Sequence, residues 1–197
     1  VHGAGVPREG FVPGRDALGK GRVFVANHRS GLDILITLAL LEGKHVSRAD
    51  LANWPVVGKI SRRAGILFVD RDNRRSAAAV VSTMIERVEH GTAVIIFPEG
   101  TTYAGDEVRP FKPGAFAVAR RTGCEIVPVG IAYRDSSAFG DESFLDHMRR
   151  VSGASKTHVG FAVGEPFVAG KADSNALSDR AHAAVQALVH QARSLVG

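Results

Sequence analysis

Short apolar runs alternate along this chain with longer amphipathic ones. The runs at 22–26, 44–47, 65–69, 93–97, 126–131 and 158–163 are rich in Val and Ile and are bounded by Gly, Pro or charges. That pattern predicts strands buried on both faces rather than strands with one wet side. Between them, residues 32–41, 54–64, 74–90, 113–122 and 142–150 read as helices. A last helix places Leu177, Ala181, Val185, Leu188, Val189 and Ala192 on one face at helical spacing. Strands alternating with helices predict a single layered α/β domain, 1–197, with a largely parallel sheet flanked by helices. Residues 1–21, with many Gly and Pro, read as loop around at most a short strand.

Composition changes this picture little. With 197 residues, 45% hydrophobic and 23% charged, the chain is long enough to bury a substantial core. The net charge of +5 suits an anionic partner, whether phospholipid surface, phosphorylated substrate, coenzyme A or nucleic acid. A single cysteine, Cys124, excludes an intrachain disulfide and any cysteine-rich metal site. The remaining histidines, His2, His45, His90, His147, His158, His182 and His190, are scattered without ligand spacing, and His182 and His190 read as helix-surface residues. No apolar run approaches the roughly 18–20 residues that span a bilayer. The chain opens on Val1 rather than Met, so an upstream, membrane-associating segment is expected.

The candidate chemistry gathers at strand ends. Residues 14–20 imitate the spacing of a phosphate-binding loop, but Gly21 stands where Ser or Thr is needed and a strand follows where a helix should. More informative is Asn27-His28-Arg29-Ser30-Gly31-Leu32-Asp33, lying between a buried strand and an apolar helix. A carboxylate five residues after a histidine, at a helix start, can fold back to accept from one ring nitrogen and leave the other free as a base. Taken alone, Asp33 serves equally as a helix N-terminal charge and His28 as a turn residue. Three further polar clusters follow later strands: Asp70-Arg71 with Asp72, Arg74 and Arg75; Phe97-Pro98-Glu99-Gly100-Thr101-Thr102; and Val127-Pro128-Val129. In open α/β sheets, functional residues collect at such C-terminal strand ends.

In this order the clusters resemble the glycerolipid acyltransferases, the family of 1-acylglycerol-3-phosphate and glycerol-3-phosphate acyltransferases. Their blocks are N-H-x4-D, G-x-x-[FI]-[IV]-[DR]-R, [FY]-P-E-G-[ST] and a V/I-P-[VI] strand. This chain supplies Asn27-His28 with Asp33, Gly65 with Phe68-Val69-Asp70-Arg71, Phe97 to Thr101, and Val127-Pro128-Val129. The family's K-x-E-L-x-x-x-P-x-x-G segment is matched by Arg48 to Gly58, with Arg48 for Lys and Asp50 for Glu, which keeps charge but alters reach. The resemblance implies a fatty acyl transfer from an acyl thioester to a lysophospholipid hydroxyl, with 1-acyl-sn-glycerol 3-phosphate as acceptor and phosphatidic acid as product. It implies His28 as general base and Asp33 as its orienting group. The acceptor head group would be held by Arg71, whose guanidinium forks onto phosphate oxygens, by Arg48, and by Glu99, Gly100 and Thr101. Glu99 cannot bind phosphate directly, so its expected partner is a hydroxyl or an arginine. Gly100 is expected to allow close backbone approach.

With no Gly-x-Ser-x-Gly elbow, and with Cys124 in a Thr-Gly-Cys-Glu turn, direct transfer without an acyl-enzyme is expected. No metal or cofactor is implied beyond acyl-CoA or acyl carrier protein as thioester co-substrate. Residues 32–41 and Trp54 to Val57 are candidate walls for the acyl chain. The expected place of action is a membrane surface, the cytoplasmic face of the cell membrane, reached peripherally or through the upstream segment. Two alternatives remain open: another lyso-lipid acceptor such as lyso-ornithine lipid, and a non-catalytic module binding anionic lipid or nucleic acid. The second gives no reason for His28, Asp33 and Glu99 to occur together, and the chain lacks the interleaved aromatics that stack bases.

Overall fold

Val23–Ala26 and Ala93–Ile96 are strands in which every residue is buried, as expected of a sheet covered on both faces. The computed structural model describes residues 2–4, 14–48, 67–69, 74–134, 144–153 and 156–196. Its elements are β1 (His2–Ala4), β2 (Val23–Ala26), α1 (Leu32–Leu40), β3 (Gly43–Arg48), β4 (Leu67–Val69), α2 (Arg74–Glu89) and β5 (Ala93–Ile96). A 3₁₀ turn (Pro113–Phe116) then leads into α3 (Ala117–Thr122), followed by β6 (Glu125–Tyr133), α4 (Phe144–Gly153), β7 (Val159–Val163), β8 (Phe167–Val168) and α5 (Ser174–Ser194). Among the described residues the strands form one eight-stranded sheet, ordered β1-β7-β6-β2-β5-β3-β4, with β8 also beside β6. All neighbours are parallel except β6 with β7 and with β8. The helix expected at 54–64 lies outside the described residues.

The alternation of side chains along each strand sorts the core into two layers. Val23, Val25, Val94, Ile96 and Ile126 face one way and pack with Met84 and Val88 of α2, Val118 of α3 and Leu177, Ala181, Val185 and Val189 of α5. Phe24, Ala26, Ile95, Val127, Val129, Ile131 and Tyr133 face the other way, toward Leu32 and Ile36 of α1. The long helix α5 lies tightly on β6 and β7 because small residues line its track: a Cβ on Gly160 would sit 1.9 Å from Ala192 O, and one on Gly130 would sit 2.2 Å from Leu188 C. Its N-terminus is capped by Asp173, which accepts from the Asn175 and Ala176 N–H groups.

β6 runs two residues beyond the expected end at 131, and β8 is a strand that the apolar pattern does not reveal. The added residues of β6 pair regularly with β7, Ala132 with Gly160 and Tyr133 with Val159, and β8 meets β6 across a bulge. Val129 faces Val163 and Ile126 faces Phe167, so Val127-Pro128 is opposed by three residues, 164–166. Pro128 has no N–H for the ladder, and its carbonyl accepts from Gly164 N at 2.9 Å on this same side. An extra residue where a proline would leave a rung unmade is the usual way a sheet tolerates proline.

Helix α1 is inverted relative to an ordinary surface helix. Its buried residues are Asp33 and Thr37, while Leu35 is 51% and Leu40 43% exposed. The polar pair is turned inward because both side chains have fixed partners in the site described next.

Candidate active site

β2, β5, β6 and β3 end at one edge of the sheet, and the candidate residues collect there. Asn27 ends β2. Its Oδ1 accepts the Ile131 N–H and its Nδ2 donates to Ile131 O, both at 2.8 Å. The side chain thus supplies the next rung of the β2–β6 ladder, so β6 continues while the β2 backbone turns away into the His28 loop.

That loop wraps around one carboxylate. Asp33 Oδ2 accepts from His28 Nδ1 at 2.8 Å, from Arg29 N at 2.6 Å and from Ser30 N at 2.8 Å. Asp33 Oδ1 accepts from Tyr133 Oη at 2.6 Å. An ionised carboxylate only accepts, so Nδ1 carries a proton, and in the neutral ring Nε2 keeps its lone pair. The Asp33 side chain is fully buried, whereas His28 is 16% exposed. The dyad therefore meets its surroundings through the imidazole. The His28 ring stacks on Phe97, centroids 4.2 Å apart and planes 8° from parallel.

Phe97-Pro98-Glu99-Gly100 forms a turn after β5, closed by Gly100 N donating to Phe97 O at 3.1 Å. Proline at its second position pre-sets φ, and Gly100 takes φ +86°, open to glycine but strained for other residues. Glu99 points beneath the His28 loop. Oε1 accepts from His28 N at 2.9 Å, both oxygens accept from Arg29 Nη1 at 3.1 Å, and Oε2 also accepts from Arg109 N at 3.2 Å. Of the two partners expected for Glu99, the geometry supplies the arginine, and it comes from inside the first motif. Arg29 and Glu99 form a buried ion pair, their side chains 2% and 0% exposed. Arg29 donates further to His28 O and Glu107 O. Tyr103 N donates to His28 O at 3.0 Å, which ties the segment after the turn to the same loop. Thr101 on the rim is exposed.

Sequence reasoning passed over Arg29, His45, Tyr133 and His147. His147, fully buried on α4, places Nε2 2.8 Å from Ser30 Oγ and 3.3 Å from Gly31 N, bracing the middle of the loop. His182 is a correction: it is half-buried rather than a surface residue, with Nε2 2.8 Å from Val108 O and its ring edge-on to Phe111. The remaining candidates are only partly placed. The Arg48 backbone pairs with Val69 at the end of β3, on the same sheet edge, while Arg71, Asp50 and Trp54 lie outside the described residues.

His45 of β3 is 1% exposed, and Nε2 lies 2.6 Å from Thr37 Oγ1, which itself donates to Asp33 O. Nδ1 has no partner. Burial first, then the proximity of His28, pushes the His45 pKa down to about 3. The unfolded chain therefore binds a proton at this ring between that value and the ordinary 6.5, and the native protein does not. Stability from this residue is fully present above about pH 6.5 and is lost as the pH falls, by about 2–3 kcal/mol near pH 4.5. Between about pH 8 and pH 4.5 the denaturant midpoint of His45→Gln should rise relative to the wild type by the equivalent of about 2–3 kcal/mol, because glutamine keeps the bond to Thr37 and does not titrate. The same difference at both pH values would show that folding does not lower the His45 pKa.

The family model described as Acyltransferase matches residues 6–132. The chain belongs to this family. It is 32% identical over 171 residues to the lyso-ornithine lipid O-acyltransferase of Pseudomonas aeruginosa, covering 83% of this chain and 66% of that protein. It is also 32% identical over 117 residues to the 1-acyl-sn-glycerol-3-phosphate acyltransferase of Neisseria gonorrhoeae, covering 59% of this chain and 46% of that one. The chain thus spans two thirds or less of these relatives. Among solved structures, the 1-acyl-sn-glycerophosphate acyltransferase PlsC of Thermotoga maritima superposes with a TM-score of 0.65 at 23% identity, over 88% of this chain and 67% of that one. At that identity the likeness speaks for the fold. The mixed, mostly parallel sheet flanked by helices is the acyltransferase fold, as the sequence predicts.

Proposed function

We propose that this protein moves a fatty acyl group from an acyl thioester to the free hydroxyl of a lysophospholipid, with 1-acyl-sn-glycerol 3-phosphate as acceptor and phosphatidic acid as product. The observation that carries the reading is the His28–Asp33 pair: Nδ1 is committed to a buried carboxylate, and Nε2 keeps its lone pair on a partly exposed ring. Nε2 takes the acceptor's hydroxyl proton as the oxygen attacks the thioester carbonyl, and Asp33 stabilises the imidazolium that forms. The tetrahedral intermediate then expels the thiolate, which recovers the proton from His28. Ester and free thiol are the products, and the thioester is the only co-substrate the step requires. Cys124 takes no part, because it is buried and its thiol pKa is raised chiefly by that burial.

The exposed apolar side of α1 supports a lipid substrate. Leu35 and Leu40 give exposed apolar surface on the same helix that carries Asp33. Among the described residues no helix is long and apolar enough to cross a membrane, and we place the reaction at the membrane surface on the cytoplasmic side. Arg71 and Arg48 remain the proposed holders of the acceptor phosphate.

A second reading, a lyso-ornithine lipid as acceptor, is favoured by the longer alignment with the Pseudomonas aeruginosa protein, 83% of this chain against 59% for the Neisseria gonorrhoeae one. The deciding experiment offers radiolabelled acyl-CoA, and separately acyl carrier protein thioester, with both lyso-lipids in detergent. Labelled phosphatidic acid supports the first reading and labelled ornithine lipid the second. No transfer to either acceptor from either donor would overturn both.

A further inference from the structure

One group outside the motifs closes on the dyad from the far side. Tyr133, the last residue of β6, is 3% exposed, and its hydroxyl donates to Asp33 Oδ1 at 2.6 Å. Oδ2 is already occupied by His28, Arg29 and Ser30. The two carboxylate oxygens are thus divided between the imidazole loop on one side and a phenol on the other. We propose that Tyr133 is a positioning residue for acyl transfer: its hydroxyl fixes the plane of the Asp33 carboxylate against His28 Nδ1–H and sets the proton affinity of His28 Nε2. This rests on His28 being the general base.

The physical basis is how one negative charge is shared. A short O–H···O⁻ bond in a dry site is strong and draws charge toward the donor. Burial, followed by the Asp33 charge, raises the phenol pKa, so Tyr133 remains a donor throughout the working pH range. Charge held by the phenol is not offered to the imidazolium, so Tyr133 lowers the proton affinity of His28. The phenol also restrains the second oxygen, without which the carboxylate can rotate away from the ring.

The other ionisable groups around the dyad, among the described residues, are His45 from β3, the Arg29–Glu99 pair beneath the loop and His147 from α4. A phenyl ring at position 133 leaves all of them in place, so a change in the His28 titration reports the lost hydroxyl.

The test is Tyr133→Phe, read first by NMR titration of histidine-labelled protein without substrate. The His28 midpoint should rise by about half a pH unit to one unit. In turnover the acid limb of kcat/KM should rise in step, and kcat should fall about tenfold with the acceptor KM within about twofold. 3-Fluorotyrosine in place of Tyr133, equal in shape and a stronger donor, should move the midpoint down. A purely packing role predicts a lower melting temperature with an unmoved titration; midpoints within about 0.2 unit for both replacements overturn the proposal. If the wild type transfers no acyl group, the acyltransferase reading fails while the titration still decides whether Tyr133 tunes His28.

Discussion

His28→Ala is expected to lower kcat for acyl transfer by about 10²–10⁴-fold, the usual worth of a general base. The KM values for thioester and acceptor should stay within a few-fold, because in the proposed mechanism the imidazole acts on the proton in flight and not on either substrate's binding groups. Steady-state kinetics beside a melting curve checks this, and turnover within a few-fold of the wild type would overturn the mechanism. Asp33→Asn is expected to be milder, for a reason specific to this site. Arg29 N and Ser30 N both point at the oxygen that faces His28, so the amide oxygen should occupy that place and the Tyr133 hydroxyl should turn to accept from the amide nitrogen. The tautomer is then kept and only the charge opposite the imidazolium is lost, which lowers the His28 pKa. The acid limb should move to lower pH, with kcat reduced about 10²-fold. A variant as inactive as His28→Ala would show that the ring had changed tautomer.

Glu99→Ala is expected to cost about 3–5 kcal/mol of folding stability, because it strands a buried guanidinium. His28 N and Arg109 N lose this acceptor, and Arg29 Nη1 is left with His28 O alone among the described residues. Activity should fall with stability, since the loop carrying the base hangs on these bonds. Replacing both partners of the pair, Arg29→Met with Glu99→Leu, should cost less than Glu99→Ala alone, as an apolar pair leaves no stranded charge. Denaturant unfolding of the two single variants and the double variant checks it. A loss below about 1 kcal/mol for Glu99→Ala would mean the carboxylate is free to meet the acceptor.

Much of this was legible in the chain. The buried strands announced themselves because parallel strands covered on both faces need unbroken Val and Ile runs, as in 23–26 and 93–96. The His28–Asp33 pair was legible because five residues at a strand end suffice to fold one side chain onto the other. Less visible was β8, which is two residues long and pairs with β6 only beyond the bulge at 164–166. Tyr133 left one signal: a tyrosine ending an apolar strand, in register with Val127, Val129 and Ile131, needs a partner for its hydroxyl if buried. His147 left none, since nothing local links a helix residue to a loop more than a hundred positions earlier.

The sequence by itself determined the α/β architecture and the spacing that brings His28 to Asp33. Each depends on local periodicity or on backbone preferences within a few residues. Only the tertiary structure decided that Arg29, met in sequence as filler, is the counter-ion of Glu99, and that Asp33 shares its charge with Tyr133. It also decided that α1 turns its polar residues inward. Those outcomes depend on which buried charge lies within hydrogen-bonding distance once β2, β5 and β6 are laid side by side. A buried polar group must find a partner, but the chain does not say from how far away that partner will come.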